Sequence, residues 1–367
     1  MPEQETFEGE RLRLARVAQG LTLDELGERI SATRQYLNQL EQGTKVPTEQ
    51  MVAALAAAVG VTPRFFELTT KGGVRPEQCH FRKQRTTPMS VISQVLARGT
   101  LLDRFINALD RELELPKVSF PDIQVTSLAE IEEAAEETRR VWKLGSGPIS
   151  SMMRVVENAG AIVSFFSGVS ERVDALSIDR PRPMIIRSEA KPAAVRLRFD
   201  LAHECGHLVM HRGIETGDKT TESQANRFAS AFLLPRSSFI HEFARARLLN
   251  WQAIFAMKLR WKVSAAAIVR RAFDLGIISA DQYRTGYIHL SKTGQKKVER
   301  YDDQITAEEP ELLQSAMAAL DKAFPGAVRR LAAEAGLEAE MFCSVSGLKL
   351  PEPTTVHNST VIDLFGR

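Results

Sequence analysis

Two histidines four residues apart place the strongest constraint on how this chain can fold. Residues 203–207 read His-Glu-Cys-Gly-His. Positions i and i+4 share one face of an α-helix about one turn apart, so His203 and His207 can converge on one ion if the segment is helical. Two neutral imidazoles suit zinc, and Glu204 lies beside them, where a base can take a proton from water. The motif predicts a zinc-binding helix.

A third, harder ligand is expected on the next helix. Glu222 follows His207 after fourteen intervening residues, enough to end one helix, turn and begin another. Asn226 lies one turn after Glu222 and is a candidate to hydrogen-bond a ligand from behind, although a plain polar residue explains it equally well. Taken alone, the motif is also compatible with a helix carrying two surface histidines, so the metal prediction depends on this neighbouring acid.

Four other side chains near the motif compete as ligands. Glu215 and Asp218 lie on a polar, glycine-containing segment, where ligand geometry is hard to fix. His211 continues the same face, but each turn advances about 6 Å along the axis, so three histidines on one ion would be strained. We interpret it as a helix-end residue that interacts with the C-terminal dipole. Cys205 points away from the ligand face and is most simply a small buried residue.

The first 70 residues carry a separate helical pattern. Apolar residues recur at helical spacing, and the segment 8–68 predicts five short helices. Thr22 followed by Glu25 is a capping box, which marks the start of a helix. Arg16 and Glu41 are expected to form a structural ion pair. This segment is predicted to be a small all-helical unit.

The rest of the chain predicts a small sheet among helices. The segments 161–166, 175–178 and 184–186 are short, apolar and bounded by glycine, proline or charge, which predicts three strands of one sheet. Helices are predicted before and after these strands in the sequence, including 193–211 and 221–234. The predicted fold class is therefore mainly α with a small β-sheet, an α+β architecture.

Composition limits the compartment and the partners only loosely. The formal net charge of +2 gives no global argument for binding nucleic acid or membranes. Cys79, Cys205 and Cys343 are too few and too scattered for a disulfide framework, which fits a reducing compartment. The N-terminus does not resemble a signal peptide, and no segment approaches the ~18 apolar residues of a membrane helix. We expect a cytoplasmic protein, nucleoid-associated when bound to DNA, with no membrane partner.

Residues 130–290 resemble the ImmA/IrrE family of zinc metallopeptidase-like proteins. The matching segments are 199–207 and the helix that carries Glu222 four residues before Asn226. The family usually has a second glutamate where this chain has Gln224, so the contacts behind the ligands are expected to differ. The resemblance implies a zincin-like domain with Zn2+ as cofactor and these roles: His203, His207 and Glu222 as ligands, and Glu204 as the base.

Residues 8–68 resemble the Xre family of phage-repressor-like helix-turn-helix domains. In that family the third helix lies in the major groove of DNA and its first residues contact base edges. Arginine can bind guanine, and glutamine or asparagine can bind adenine, each through two hydrogen bonds. The candidates for base contacts are Arg34, Gln35, Asn38 and Gln39, and the candidates for phosphate contacts are Thr33 and Tyr36. A small helical protein-interaction domain is the alternative.

The two resemblances together imply a DNA-binding transcriptional regulator with a zinc-dependent metallopeptidase-like domain. Some relatives cleave a repressor or antirepressor in response to stress or mobile-element signals, so the expected substrate is a regulatory protein, either a partner or the chain itself. A double-stranded DNA operator and a second copy of the chain are the other expected partners. The predicted regions are 1–70, the DNA-binding domain; 71–127, a linker and helical connector; 128–290, the peptidase-like domain; and 291–367, a helical C-terminal extension with a flexible tail.

Two other functions remain open at this point. The protein could be a regulator or antitoxin-like binding protein, whose zincin fold senses a ligand or binds a partner without proteolysis. It could also be a housekeeping zinc peptidase whose helical N-terminal domain does not bind DNA. Metal content and the effect of Glu204→Gln would separate the sensor from the peptidase regulator. A mobility shift unaffected by changes at Arg34 and Gln35 would count against a DNA-binding regulator.

Overall fold

The computed structural model of the chain describes residues 7–68, 72–83, 88–166, 168, 173–187, 193–244 and 246–352. Within these ranges the chain is mostly helical and contains one four-stranded sheet, which confirms the predicted fold class. No helix there is long and apolar enough to cross a membrane. Residues 71 and 84–87 of the predicted linker and connector, and 353–367 of the predicted flexible tail, lie outside the described residues.

Helices form most of the molecule, and their ends lie close to the predicted ones. The N-terminal unit has α1 (Gly9–Gln19), α2 (Leu23–Ile30), α3 (Arg34–Glu41), α4 (Glu49–Val59) and a 3-10 helix, Pro63–Glu67. The central helices are α5 (Met89–Glu112), α6 (Leu128–Val141), α7 (Met152–Asn158), α8 (Ala194–Met210), α9 (Lys219–Leu233) and α10 (Arg236–Glu242). Later come α11 (Trp251–Trp261), α12 (Ala265–Asp274), α13 (Ala280–Lys292), α14 (Leu312–Ala323), α15 (Ala327–Glu334) and α16 (Ala339–Ser346). Two further 3-10 helices are Pro76–Gln78 and Asp302–Gln304.

Local capping and one ion pair fix the N-terminal unit as predicted. The Thr22 hydroxyl accepts a hydrogen bond from the Glu25 backbone N–H, and the Glu25 carboxylate accepts one from the Thr22 backbone N–H at 2.7 Å. Arg16 donates two hydrogen bonds to Glu41, at 2.6 and 2.9 Å, and so ties α1 to the end of α3. A planar two-bond contact of this kind sets the angle between two helices as well as holding them together.

The sheet contains a strand that the sequence pattern does not predict. Its strands are β1 (Cys79–Lys83), β2 (Ile162–Phe165), β3 (Val173–Ile178) and β4 (Met184–Arg187), in the order β1-β3-β4-β2. Strands β2 and β4 are parallel, and the other two pairs are antiparallel. The predicted strands correspond to β2, β3 and β4, whereas β1 lies in the segment interpreted as a linker. Its sequence is short and basic, so it gives no clear strand pattern by itself.

The sheet separates two hydrophobic cores. Leu176 and Ile178 of β3 belong to a core that also contains the N-terminal unit, α5 and the C-terminal helices α14 to α16. Ile185 of β4 belongs to the second core, with α6 to α13. Because side chains alternate along a strand, the two faces of this small sheet serve two different helical layers.

The C-terminal helices pack against the N-terminal unit. The Thr62 backbone N–H donates to the Gly336 carbonyl at 3.0 Å, and the Glu338 backbone N–H donates to the Gly60 carbonyl at 3.2 Å. Phe342 of α16 meets Phe105 of α5 edge to face, with the ring centroids 4.8 Å apart. The extension is therefore part of the first core. The predicted domain boundaries themselves stay a prediction.

We expect Phe342→Ala to lower the free energy of unfolding by about 3–5 kcal/mol, because it removes a fully buried aromatic ring from the core that joins α16 to α5. Urea denaturation followed by circular dichroism measures this change. Phe324→Ala is the matched control, since that ring is 62% exposed, and it should change stability by less than about 0.5 kcal/mol. Equal effects of the two substitutions would show that α16 does not contribute to the core as described.

Candidate metal centre

Helices α8 and α9 pack closely enough to bring their polar faces together. Gly206 of α8 makes this possible, because a Cβ at that position would lie 3.0 Å from the Phe228 ring of α9. Helix α9 begins at Asp218, whose carboxylate accepts hydrogen bonds from the backbone N–H groups of Thr220 and Thr221 at 2.6 and 3.2 Å. Asp218, a competing ligand in the sequence analysis, is thus the N-cap that starts α9.

The three predicted ligand side chains converge. His203 Nε2 and His207 Nε2 lie 3.1 Å apart. Glu222 places Oε2 3.4 Å from His203 Nε2 and Oε1 3.4 Å from His207 Nε2. A tetrahedral ion with ligand bonds of about 2.0–2.1 Å needs donors about 3.3 Å apart, so the spacing suits zinc. Within the described ranges, this is the one group of histidine, cysteine and acidic residues close enough to hold a metal ion.

The donor set is incomplete without a cation. Glu222 Oε1 is buried and has no hydrogen-bond partner among the described residues. A buried carboxylate oxygen without a partner is costly, and a bound cation would satisfy it. The neighbouring histidines hold the pKa of Glu222 well below its usual range against the opposing effect of burial, so the carboxylate is ionised at neutral pH. These residues fit a zinc ion.

Hydrogen bonds behind the histidines orient their rings. His203 Nδ1 lies 3.1 Å from Asn226 Oδ1, the contact expected of a side chain that orients a ligand. His203 Nδ1–H then donates to this amide oxygen, so the lone pair of Nε2 faces the other donors. Asn226 therefore lies behind a predicted ligand, where the sequence analysis expected it. Its role in orienting His203 stays a prediction.

A second chain of contacts starts at Gln224, the position that departs from the family pattern. Its Oε1 lies 2.9 Å from His211 Nε2, and His211 Nδ1 lies 2.9 Å from His207 Nδ1. A proton on His211 Nε2 donates to Gln224, so His211 Nδ1 accepts from His207 Nδ1–H, and His207 Nε2 is left with its lone pair. His211 does end α8, as interpreted from the sequence, but its ring also supports His207.

Burial keeps the imidazoles of His207 and His211 neutral. It lowers the pKa of His207 to about 4, an effect that Glu222 partly opposes. Burial likewise lowers the pKa of His211, whereas the hydrogen bond to Gln224 acts in the opposite direction. Neutral imidazole is the form that binds a metal, so His207 is in the required state at pH 7. Neutral His211 can accept the hydrogen bond from His207 Nδ1–H.

Glu204 lies beside the cluster with its carboxyl group enclosed. The side chain is 1% exposed, and the Ser177 hydroxyl of β3 donates to its Oε2 at 2.6 Å. Burial raises the pKa of Glu204 to about 7, against the opposing effects of His203 and the Ser177 hydrogen bond. A carboxyl group with a pKa near neutrality can accept a proton and return it within one reaction cycle.

Two neighbours of the centre have no sequence signal. Ser177 on β3 donates a hydrogen bond to Glu204. His80 on β1 lies directly opposite Ser177 in the strand register. The His80 ring stacks on His207 with centroids 5.1 Å apart, and its Nδ1 lies 3.0 Å from Thr216 Oγ1. Neither belongs to a motif. Ser177 reaches the centre because β3 packs on α8, and His80 reaches it because β1 pairs with β3.

The predicted DNA-contacting residues occupy the exposed side of α3. Leu37 and Leu40 are buried, which directs the opposite side outward. Of the six candidates, Thr33, Arg34, Gln35 and Asn38 are exposed, and Tyr36 and Gln39 are half-buried. The Thr33 hydroxyl accepts from the Tyr36 backbone N–H at 3.2 Å and caps the helix. Arg34 forms an exposed ion pair with Asp24 at 3.1 Å, weak enough to exchange for another partner.

Comparison with known proteins identifies two domains. Residues 9–64 match a helix-turn-helix domain, and residues 156–273 match an IrrE N-terminal-like domain. These matches confirm both resemblances drawn from the sequence, and the first supports DNA binding. The chain is also similar to the "Propionyl-CoA carboxylase regulator" of Cereibacter sphaeroides, with 28% identity over 283 residues that cover 66% of this chain. The matched region spans 60% of that relative's length.

The raised pKa of Glu204 predicts how stability depends on pH. Between its ordinary value of 4.5 and about 7, the native state holds a proton that the unfolded chain has released. The stability that this bound proton contributes is therefore complete below pH 4.5 and is lost as the pH rises to 7. We expect the metal-free chain to lose roughly 3 kcal/mol more stability than Glu204→Gln over this range.

Urea denaturation of both proteins at several pH values measures this difference. Glutamine keeps an oxygen to accept from Ser177 but does not titrate, so the other groups cancel in the comparison. If the free energy of unfolding changed with pH in the same way in both proteins, the burial of Glu204 would be contradicted.

Proposed function

We propose that this chain, a fusion of a helix-turn-helix domain with an IrrE N-terminal-like domain, is a DNA-binding transcriptional regulator with zinc-dependent peptidase activity. The observation that carries the proposal is the convergence of His203, His207 and Glu222, with donor atoms 3.1–3.4 Å apart, beside the buried carboxyl of Glu204. A structural helix pair has no need for this set of groups.

The proposed chemistry divides between the ion and the chain. A bound zinc ion supplies Lewis acidity that polarises a peptide carbonyl and acidifies water. His203, His207 and Glu222 would hold it. Ser177 engages Oε2 of Glu204, so Oε1 is the oxygen that would accept a proton and then return it to the leaving amine. The low exposure of the site excludes bulk water and strengthens each electrostatic interaction.

The proposed substrate is a peptide bond in a regulatory protein, either a partner such as a repressor or antirepressor, or this chain. The support is the joining of a helix-turn-helix domain to a hydrolase-like site, together with the similarity to a relative that is named as a regulator. Hydrolysis near DNA would convert a signal into an irreversible change in gene expression. We place this activity in the cytoplasm, at the nucleoid when operator DNA is bound.

For DNA, we propose that α3 enters the major groove. Its exposed side then presents Arg34, Gln35 and Asn38 to base edges, and Thr33 at its N-terminus faces a phosphate. Domains of this kind bind paired half-sites about 34 Å apart, so we propose a homodimer on the operator.

A second function is favoured by the closure of the centre. His203 and His207 are fully buried and Glu204 is 1% exposed, which suits a structural or ligand-sensing metal site as well as a catalytic one. In that case the chain would be a non-proteolytic or antitoxin-like regulator. The effect of Glu204→Gln decides between the two functions.

We expect the purified chain to hold about one zinc ion and His203→Ala to hold none, because the substitution removes one of three ligands. Glu204→Gln should keep the zinc and lower peptide hydrolysis by about 10²–10⁴-fold, because it removes the base. Elemental analysis measures the metal, and mass spectrometry of a proteome-derived peptide library measures new cleavage products.

Two substitutions serve as matched controls. His241→Ala removes an exposed histidine of α10, and Glu215→Gln alters an exposed glutamate near the site. Both should keep metal and activity. Zinc retained by His203→Ala would contradict the proposed metal site. Gene regulation that is unchanged by Glu204→Gln in cells would favour the non-proteolytic, ligand-sensing function.

We expect Gln35→Ala to weaken operator binding by about 1–3 kcal/mol, because it removes a two-bond contact to a base. The probe is a genomic DNA fragment selected by the full-length protein, and a mobility shift at fixed salt gives the affinity. Gln50→Ala makes the same change at an exposed position of α4 and should leave the affinity unaltered. If Gln35→Ala and the unchanged protein bound the fragment with the same affinity, the placement of α3 in the major groove would be contradicted.

A further inference from the structure

The edge strand β1 covers the candidate metal centre. It pairs antiparallel with β3 so that His80 lies opposite Ser177, on the face of the sheet turned toward α8. His80 is fully buried, and its ring lies parallel to that of His207, with an angle of 5° between the planes. His80 thus covers one proposed ligand, while Ser177 covers the proposed base.

This closed arrangement has to open before a protein substrate can be hydrolysed. A peptide carbonyl has to approach the ion and the base together, at about 3–3.5 Å from the attacking atom. Glu204 is 1% exposed, and both histidines are fully buried. One of the covering elements has to move before a chain can enter, and α8 and α9 cannot do so without losing the ligands themselves.

We propose that β1 is an autoinhibitory strand, which occupies the edge of β3 beside the metal centre and must leave it before an extended peptide can bind there. The inference rests on the proposed function, because a centre that binds no substrate needs no inhibition. The vacated edge of β3 would offer an incoming peptide the same backbone hydrogen bonds that β1 uses now.

The position of β1 leaves one of its edges unpaired. Like β2, it is an outer strand with a single neighbour in the described sheet, whereas β3 and β4 each pair on both sides, and of the two outer strands β1 is the one beside the candidate centre. Its register shifts between Phe81 and Lys83, and a bulge of this kind interrupts the hydrogen-bond ladder.

The closed position also carries a cost. His80 Nε2 is buried without a hydrogen-bond partner among the described residues, a cost that release of the strand relieves. The strand that must move follows the helix-turn-helix domain in the chain and precedes α5.

A single substitution can lock β1 in place. Cys79 of β1 lies opposite Ile178 of β3. Directly opposed residues of antiparallel strands have Cα atoms about 4.5–5.5 Å apart, within the range of a disulfide. In full-length Ile178→Cys, oxidation should therefore link the native Cys79 to the new cysteine. The same protein under reducing conditions is the matched control, because any loss of packing at Ile178 is common to both forms.

Two measurements test the proposal. After loading with zinc, the oxidised form should lose the ion to a chelator on the order of tenfold more slowly than the reduced form, because opening has been blocked. Under the same oxidation, Cys79→Ser in the Ile178→Cys background cannot form the link and should behave as the reduced protein does. Equal rates of zinc loss in the linked and reduced forms would overturn the proposal.

The second measurement does not require metal. In the reduced protein, hydrogen exchange at the amides of β1 should be on the order of tenfold or more faster than at those of β4. If β1 is as protected as β4, it is a permanent core strand and the proposal fails. Failure of the reduced protein to bind zinc would sink the proposed function instead, while the exchange measurement would still decide the role of β1.

Discussion

The contact between α8 and α9 at Gly206 and Phe228 controls the geometry of the centre. The two histidines share a helix, so their spacing follows from the helical repeat. The glutamate comes from another helix and reaches them only if the two axes are close. A Cβ at position 206 would lie 3.0 Å from the Phe228 ring, so that the ring or its helix would have to shift by a few tenths of an ångström. Since ligand bonds tolerate errors of only about 0.2 Å, this glycine bears directly on whether a metal can bind.

The sheet joins this centre to the rest of the molecule. One face carries Ser177 and His80 toward the centre, and the other carries Leu176 and Ile178 into the core shared with the DNA-binding unit. Helices α14 to α16 complete that core from the far end of the chain. A displacement at the edge of β3 would therefore be felt in both halves, because packed cores transmit strain.

Burial has two opposing effects at the candidate centre. It keeps His207 neutral and raises the pKa of Glu204 toward neutrality, which suits metal binding and proton transfer. The same burial closes the centre to a protein substrate. The two effects are compatible if the enclosing element is mobile on the timescale of the reaction, and β1, an outer strand with one neighbour, is the element that we propose to move. Such regulation by closure also suits a protein whose first domain matches a DNA-binding fold.

Local sequence determined much of this molecule. The spacing of His203 and His207, the capping of α2 and the apolar period of the helices each depend on residues within about two turns. These local patterns predicted most of the helices, the strands β2, β3 and β4 and the two histidine ligands, and Glu222 was predicted from its place on the following helix. The register that sets His80 opposite Ser177 depends on two segments almost 100 positions apart, and the docking of Phe342 on Phe105 depends on still more distant ones. No local period encodes such pairings. The tertiary structure alone decided what covers the centre, because that is settled by which surfaces bury one another when the whole chain folds.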